Sequence, residues 1–419
     1  MASARTDLVQ RVTRFYLESA DFNGCPASSV VQGDTSRNRA RIRRLVAERR
    51  LDILTSSLEL NPHIKRLGVP KVEKQLEALA SASTLREICL YPHPDVLKNA
   101  VDVSLYAGSP FKLELALGAS QLSTHAFDLT VLEFYRNDPR YTYSCDDIHG
   151  WISISDDYYE STEVPQRDQI LLDTFGFAYN GRLERAVTTF VCYLAKLSPE
   201  HQQLWNAKRL GDEFKMHPDF FRTQILGDWP ERLPIFTAFW MELEIVSAIA
   251  TRMGRPPLFR NVKIRPKKFA FLVRPTLSEF NDFVLLLDKA LSDNLNAKFF
   301  GDDLPLERES IRADGKIVVT SKGTLALLDE WLHSRFRTDD QAALKEMMAT
   351  LREIRKLRQH PAHGLHSDIF DQKYFHEQRD LIVKAYTAVR TLRLIFENHP
   401  AARGIEVHPM LRDGKISSY

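Results

Sequence analysis

The strongest constraint on this chain lies between residues 339 and 397, where two long apolar stripes are separated by a break that no helix can cross. Leu344, Met347, Met348, Leu351, Ile354 and Leu357 recur at helical spacing and predict a helix over about 339–358. Phe370, Tyr374, Leu381, Ala385, Val389 and Leu392 predict another over about 370–397. Between them stands Arg358-Gln359-His360-Pro361-Ala362-His363-Gly364-Leu365-His366. Pro361 has no N–H to give and its ring clashes with the preceding turn, so the first helix must stop near Arg358. Two more amphipathic stretches precede this pair, at about 276–293 and 324–336. They flank a hairpin that turns at Ala313-Asp314-Gly315 before Lys316-Ile317-Val318-Val319-Thr320. Long amphipathic helices on short connections argue for an antiparallel bundle.

A chain of 419 residues exceeds one compact core. The expected class is mainly α, α+β overall, in three domains. Residues 1–80 read as three short helices and a hairpin, the order of a winged helix, with the third helix over about 38–49 and Leu51-Asp52-Ile53-Leu54 as a strand. Residues 81–266 are mixed. Tyr141-Thr142-Tyr143 and Trp151-Ile152-Ser153-Ile154-Ser155 alternate as strands across a turn near His149-Gly150, while 183–197 and 234–251 show helical periodicity. Arg255-Pro256-Pro257 and Arg265-Pro266-Lys267-Lys268 punctuate the end of this region, and residues 267–419 hold the bundle and a C-terminal tail.

Charge narrows the function. Lys+Arg number 57 against 55 Asp+Glu, a formal +2, which excludes a uniformly basic coat and leaves local patches open. No apolar run reaches the roughly 18 residues of a membrane span, and Met1-Ala2-Ser3-Ala4-Arg5 lacks the pattern of a signal peptide. Cys25, Cys89, Cys145 and Cys192 are far apart, fitting neither a zinc cage nor a disulfide framework, so a reducing cytoplasm is expected. Phosphate-loop, dinucleotide, His-Glu-x-x-His and Gly-x-Ser-x-Gly motifs are absent.

The break in the bundle gathers the residues best suited to chemistry. Arg358 lies two helical turns after Leu351, close to the buried stripe, and His363 follows a few residues on. Cleaving RNA without a metal requires a base for the ribose 2′-hydroxyl, an acid for the leaving 5′-oxygen and a cation for the phosphate. Histidine serves as base or acid near its free pKa of about 6.5, and arginine holds two phosphate oxygens at once. The bland alternative is a polar helix connection with surface histidines.

Four helices with Arg-x4-His at this junction resemble the HEPN domain (higher eukaryotes and prokaryotes nucleotide-binding) over roughly residues 270–400. The resemblance implies a metal-independent endoribonuclease without cofactor, of the kind found among toxins and anti-phage effectors. It also implies a homodimer whose paired motifs form one composite site. By position Arg358 and His363 would be the catalytic pair, with His360, His366 or Gln359 assisting; the family commonly has Asn, Asp or His where this chain has Gln359. An RNA substrate and a restraining regulatory partner are expected from the resemblance. Some family members only bind RNA or a partner.

Two other patterns stand apart. Arg37, Arg39, Arg41, Arg43, Arg44, Arg49 and Arg50 crowd the third N-terminal helix; Arg37, Arg41 and Arg44 share one side and would suit phosphates of DNA or structured RNA. The alternative there is a solvated or ion-paired face. Asp146-Asp147, Asp156-Asp157, Glu160, Glu163 and Asp168 are a weaker candidate for Mg²⁺, since adjacent aspartates also simply form turns. The rival to the nuclease is therefore a non-enzymatic nucleic-acid-binding regulator, or a structural subunit of a defence complex, using the bundle to dimerise.

Overall fold

Both helices and strands form, and the chain is an α+β protein whose strands pair antiparallel apart from one two-residue parallel pair, 233–234 with 416–417. The computed structural model describes residues 7–146, 148–182, 184–311, 314, 316–337, 341–359 and 368–418. Its contacts divide into two units, Met1–Tyr143 with His149–Asp228, and Ser144–Ile148 with Trp229–Tyr419. Among the described residues no helix is long and apolar enough to cross a membrane.

Unit 1 begins with α1 (Leu8–Glu18), β1 (Cys25–Pro26), α2 (Ala27–Val30), α3 (Ser36–Ala47), β2 (Leu51–Thr55), α4 (Val72–Ser81) and β3 (Ile88–Pro92). β3 lies between β1 and β2 and is antiparallel to both, with Ile53 opposite Leu90. The strand that pairs with β2 thus arrives only after α4. Thr35 caps α3 by accepting the Asn38 N–H at 3.2 Å, and Ile42, Leu45 and Val46 join Leu8, Val12, Ile53 and Leu90 in one core.

The rest of unit 1 adds α5 (Pro94–Ala100), α6 (Pro110–Ala116), β4 (Thr124–Phe127), α7 (Val131–Asn137), β5 (Tyr141–Cys145), β6 (His149–Ile154), β7 (Leu171–Tyr179), β8 (Arg185–Phe190), α8 (Val191–Lys196), α9 (Pro199–Asn206), β9 (Lys215–Met216) and α10 (Pro218–Phe221). The strands run in the order β4-β8-β7-β6-β5, with β9 on the end of β7. Two expectations change here. His149 and Gly150 belong to β6, so the turn falls before them, and the helix expected over 183–197 is a strand followed by a short helix. Val187, Thr188 and Thr189 are β-branched and sit in a central strand flanked by β4 and β7, where such side chains pack well.

Unit 2 contains β10 (Leu233–Pro234), α11 (Ile235–Arg252), α12 (Leu277–Ala290), β11 (Glu307–Ile311), β12 (Ile317–Ser321), α13 (Thr324–Arg335), α14 (Ala342–Gln359), α15 (Lys373–Glu397), α16 (Pro409–Asp413) and β13 (Ile416–Ser417). α15 packs on α11 and α14, and α12 packs on α14. Phe236, Phe239 and Leu243 of α11 share a core with Phe283, Leu287, Met347, Ile354, Leu381 and Leu392. The division between units therefore falls ahead of α11, at Asp228/Trp229, and not at the Arg/Pro-rich stretch near 266. Inside this core Arg393 of α15 donates from Nε to Glu242 of α11 and from Nη1 to Glu397 at 2.6 Å. Arg393 and Glu242 are both buried, at 1% and 0% exposure.

Candidate functional site

Arg355 and Arg358 lie three residues apart on the last turns of α14 and so share a face. They meet two carboxylates from α12. Asp288 sits in the apolar stripe of that helix with Phe280, Phe283, Val284 and Leu287, and Asp293 follows the helix end. Nη1 of Arg358 donates to Oδ2 of Asp288 at 2.6 Å and to Oδ2 of Asp293 at 2.5 Å. Nη1 of Arg355 donates to Oδ1 of Asp293 at 2.7 Å, with a longer contact of 3.5 Å to Asp288. Asp288 is wholly buried, whereas Arg358 keeps 30% of its side chain exposed.

Two guanidinium groups thus face two carboxylates. Hydrogen bonds to Asp288 and then Asp293 raise the pKa of Arg358, fixing its charge. Burial works to raise the Asp293 carboxyl, but hydrogen bonds from Arg358 and Arg355 outweigh it and hold the group below the usual carboxylate range. Both hydrogens of Arg358 Nη1 are committed. Its Nε and Nη2 make no hydrogen bond among the described residues, which leaves the opposite edge of the fork for an incoming oxyanion. Oδ1 of Asp288 is buried with no hydrogen-bond partner, so this carboxylate depends on the guanidinium at its other oxygen.

Gln359 is exposed at the end of α14. His360, His363 and His366 lie outside the described residues, and so does Asp147 of the acidic pattern. The described chain resumes at Asp368 and is tied at once to the start of α12. Asp368 accepts the Ser278 N–H at 2.9 Å, Leu277 N–H donates to the Ile369 carbonyl at 2.9 Å, and Asp371 N–H donates to the Pro275 carbonyl at 2.8 Å. The same helix therefore grips the chain before the histidines at its C-terminal end and after them at its N-terminal end.

In unit 1 the arginines of α3 divide by role. Arg39 turns inward, bidentate on Asp34 and bonded to the Leu79 and Ala82 carbonyls, which ties α3 to α4. Of the three singled out from the sequence, Arg41 pairs with Asp7 at 3.5 Å and Arg44 with Glu48 at 3.6 Å, while Arg37 is exposed without an ion pair among the described residues. Arg43, outside the expected stripe, is exposed and equally free there. Exposed pairs of this kind contribute about 0–1 kcal/mol and yield readily to a phosphate.

Among the described residues no group of three or more His, Cys, Asp or Glu side chains is arranged to hold a metal. Asp168 instead pairs with Arg140 at 3.4 Å. Asp288 and Asp293 were not singled out from the sequence. The available signal was an aspartate on the apolar face of a helix at its C-terminal end, where the dipole disfavours an anion. No family model, curated protein or solved structure matches this chain.

Proposed function

We propose that this chain is a metal-independent endoribonuclease, with a HEPN-like bundle in unit 2 that works as a homodimer. Arg358 would hold the scissile phosphate by its Nε/Nη2 edge, and His363 would act as base or acid, the second copy's histidine taking the other role. The ribose O2′ would attack phosphorus as its proton passes to the base, and the P–O5′ bond would break as the acid protonates O5′. This leaves a cyclic phosphate and needs no cofactor. One observation carries the reading: an arginine side chain 30% exposed at the end of α14, anchored by Asp288 and Asp293 on one nitrogen and, among the described residues, free on the other edge. A toxin or anti-phage effector of the cytoplasm, restrained by a regulatory partner, is the setting in which such an activity makes sense. The test is RNA cleavage by the purified chain in excess EDTA, with Arg358→Ala and His363→Ala beside it; loss of the parent's activity on chelation would point to a metal mechanism instead.

A second reading has its own support. The order α1-β1-α2-α3-β2-α4-β3, with β3 central in the sheet, suits a winged-helix-like module with an added helix, and α3 would then face nucleic acid. Arg37 and Arg43 are the exposed charges it offers that have no ion pair among the described residues. If the chain docks on duplex DNA or structured RNA this way, Arg37→Glu with Arg43→Glu should weaken binding and flatten log Kd against log salt by about two phosphate contacts. An unchanged slope in fluorescence anisotropy would remove α3 from the interface.

A further inference from the structure

The connection between α11 and α12 is one-sided in charge: residues 255–278 hold seven Lys or Arg and no Asp or Glu. In a chain close to neutral overall, this makes a local basic patch and not a general coat. Two of the seven are committed to the fold. Arg255 pairs with Asp303 at 2.7 Å, and Arg265 donates to the Phe269 carbonyl at 2.9 Å with its guanidinium over the Phe236 ring. Arg260, Lys263 and Lys268 are exposed and have no ion pair among the described residues.

The first of these is held against the end of α12. Leu258 and Phe259 are buried, and their backbone runs beside residues 294–296. Asn296 N–H donates to the Leu258 carbonyl at 2.8 Å and Arg260 N–H to the Asn294 carbonyl at 2.9 Å. The Asn294 side chain closes the clamp, accepting the Asn261 N–H and donating to the Asn261 carbonyl, both at 2.8 Å. The exposed Arg260 side chain then donates from Nη2 to the backbone carbonyl of Asp293. The carboxylate of that same residue carries Arg355 and Arg358. Three guanidinium groups therefore gather round one residue, and among the described residues two carboxylates, Asp288 and Asp293, stand against them. Beyond Arg260, the Val262 carbonyl accepts the Trp240 indole N–H at 2.6 Å, which fixes the backbone ahead of Lys263.

We infer that Arg260, with Lys263 beyond it, binds the RNA backbone phosphates next to the one taken by Arg358; the inference rests on the nuclease reading above. Nε and Nη1 of Arg260 make no hydrogen bond among the described residues, so its fork is open to an oxyanion. A lone small anion needs one such fork. Here the forks of Arg260 and Arg358 share Asp293 as their footing, and Lys263 follows within about 11 Å of Arg260 along the backbone. A row of cations leading away from the Arg358 fork suits a polymer whose negative charge repeats. The clamp on residues 258–261 sets the Arg260 backbone in place before RNA arrives, so little further ordering of the chain is lost on binding.

Binding is read apart from cleavage with a short single-stranded RNA, 2′-O-methylated throughout so that it has no hydroxyl to attack with. In fluorescence anisotropy with the full chain, Arg260→Gln should raise Kd about five- to tenfold. It should also lower the slope of log Kd against log salt by about 0.7, the value for one single-strand phosphate. Adding Lys263→Gln should lower the slope by about 0.7 again, and Arg260→Lys should keep the parent's slope. On cleavable RNA the loss in Arg260→Gln should lie in KM. The Lys263 side chain makes no hydrogen bond among the described residues, so Lys263→Gln alone supplies a folded variant should Arg260→Gln fail to fold. A slope equal to the parent's in either folded glutamine variant would overturn the inference. Tighter binding of poly-glutamate than of the RNA, at equal charge, would assign the patch to an acidic protein and overturn it as well. Cleavage that needs Arg358 and His363 but is indifferent to Arg260 sinks this site and spares the nuclease; an Arg260-dependent salt slope without Arg358-dependent cleavage does the reverse.

Discussion

His363→Ala, purified as the full chain, is expected to cleave RNA at least about a hundredfold more slowly than the parent, the usual loss when a general acid or base is removed. Arg358→Ala should lose as much, since a cation aimed at developing phosphate charge contributes about 10²–10³ in rate. The two variants should separate in stability. Removing Arg358 leaves the buried Asp288 carboxylate, among the described residues, with the 3.5 Å contact from Arg355 alone, and an unsatisfied buried charge of this kind costs about 1–3 kcal/mol or more. Arg358→Ala should therefore melt lower than the parent. Arg358→Lys keeps the charge and loses the fork; it should recover part of the stability and little of the activity. Cleavage at the parent's rate in both folded alanine variants would end the catalytic assignment. A loss in Arg358→Ala alone would make this arginine a structural strut.

The largest effect on stability is expected at Arg393. Its guanidinium is buried between Glu242 and Glu397, and removing one partner of a buried pair costs about 3–5 kcal/mol because the group left behind stays desolvated without its partner. Against a total stability of about 5–15 kcal/mol, Arg393→Ala should unfold a large fraction of unit 2 near 37 °C. Replacing Arg393 and Glu242 together by Met and Leu should be far milder, as apolar replacements of whole buried pairs often are. Thermal melts of the single and double variants decide the matter, and equal losses in both would mean that packing volume dominates.

The same pair predicts a pH dependence. Burial, against the pull of Arg393, lifts the Glu242 carboxyl from its ordinary 4.5 to about 7. The folded chain then keeps a proton that the unfolded chain releases, so this group's contribution to stability is full below about pH 4.5 and declines as pH rises to about 7. The difference is on the order of 3 kcal/mol. Denaturant titrations across that window should show the decline in the parent, and Glu242→Gln should lack it.

The helices of unit 2 were legible because they are long and their apolar periodicity is uninterrupted. The helix expected over 339–358 is found over Ala342–Gln359, and the one expected over 370–397 over Lys373–Glu397. Pro361 explains why the first must stop. Residues 185–190 misled because Ala186, Phe190 and Tyr193 happen to suit a helical face, and only neighbouring strands on both sides favour the extended form. The domain division was illegible for a similar reason. Proline and arginine punctuation at 255–268 is conspicuous locally, but the apolar face of α11 commits it to α15 across more than a hundred residues. Arg358 and the three histidines could be picked out by type and place. Asp288 and Asp293, some seventy residues upstream of Arg358, become its partners only through the packing of α12 on α14.

The grip of α12 on both flanks of the histidine-bearing stretch carries a kinetic corollary. One rod supplies the footing on each side, so a transient opening that lifts α12 off α14 would release both anchors together. Amide protons of α12, of the last turn of α14 and of the chain at 369–371 then belong to one cooperative foldon, with a common opening free energy.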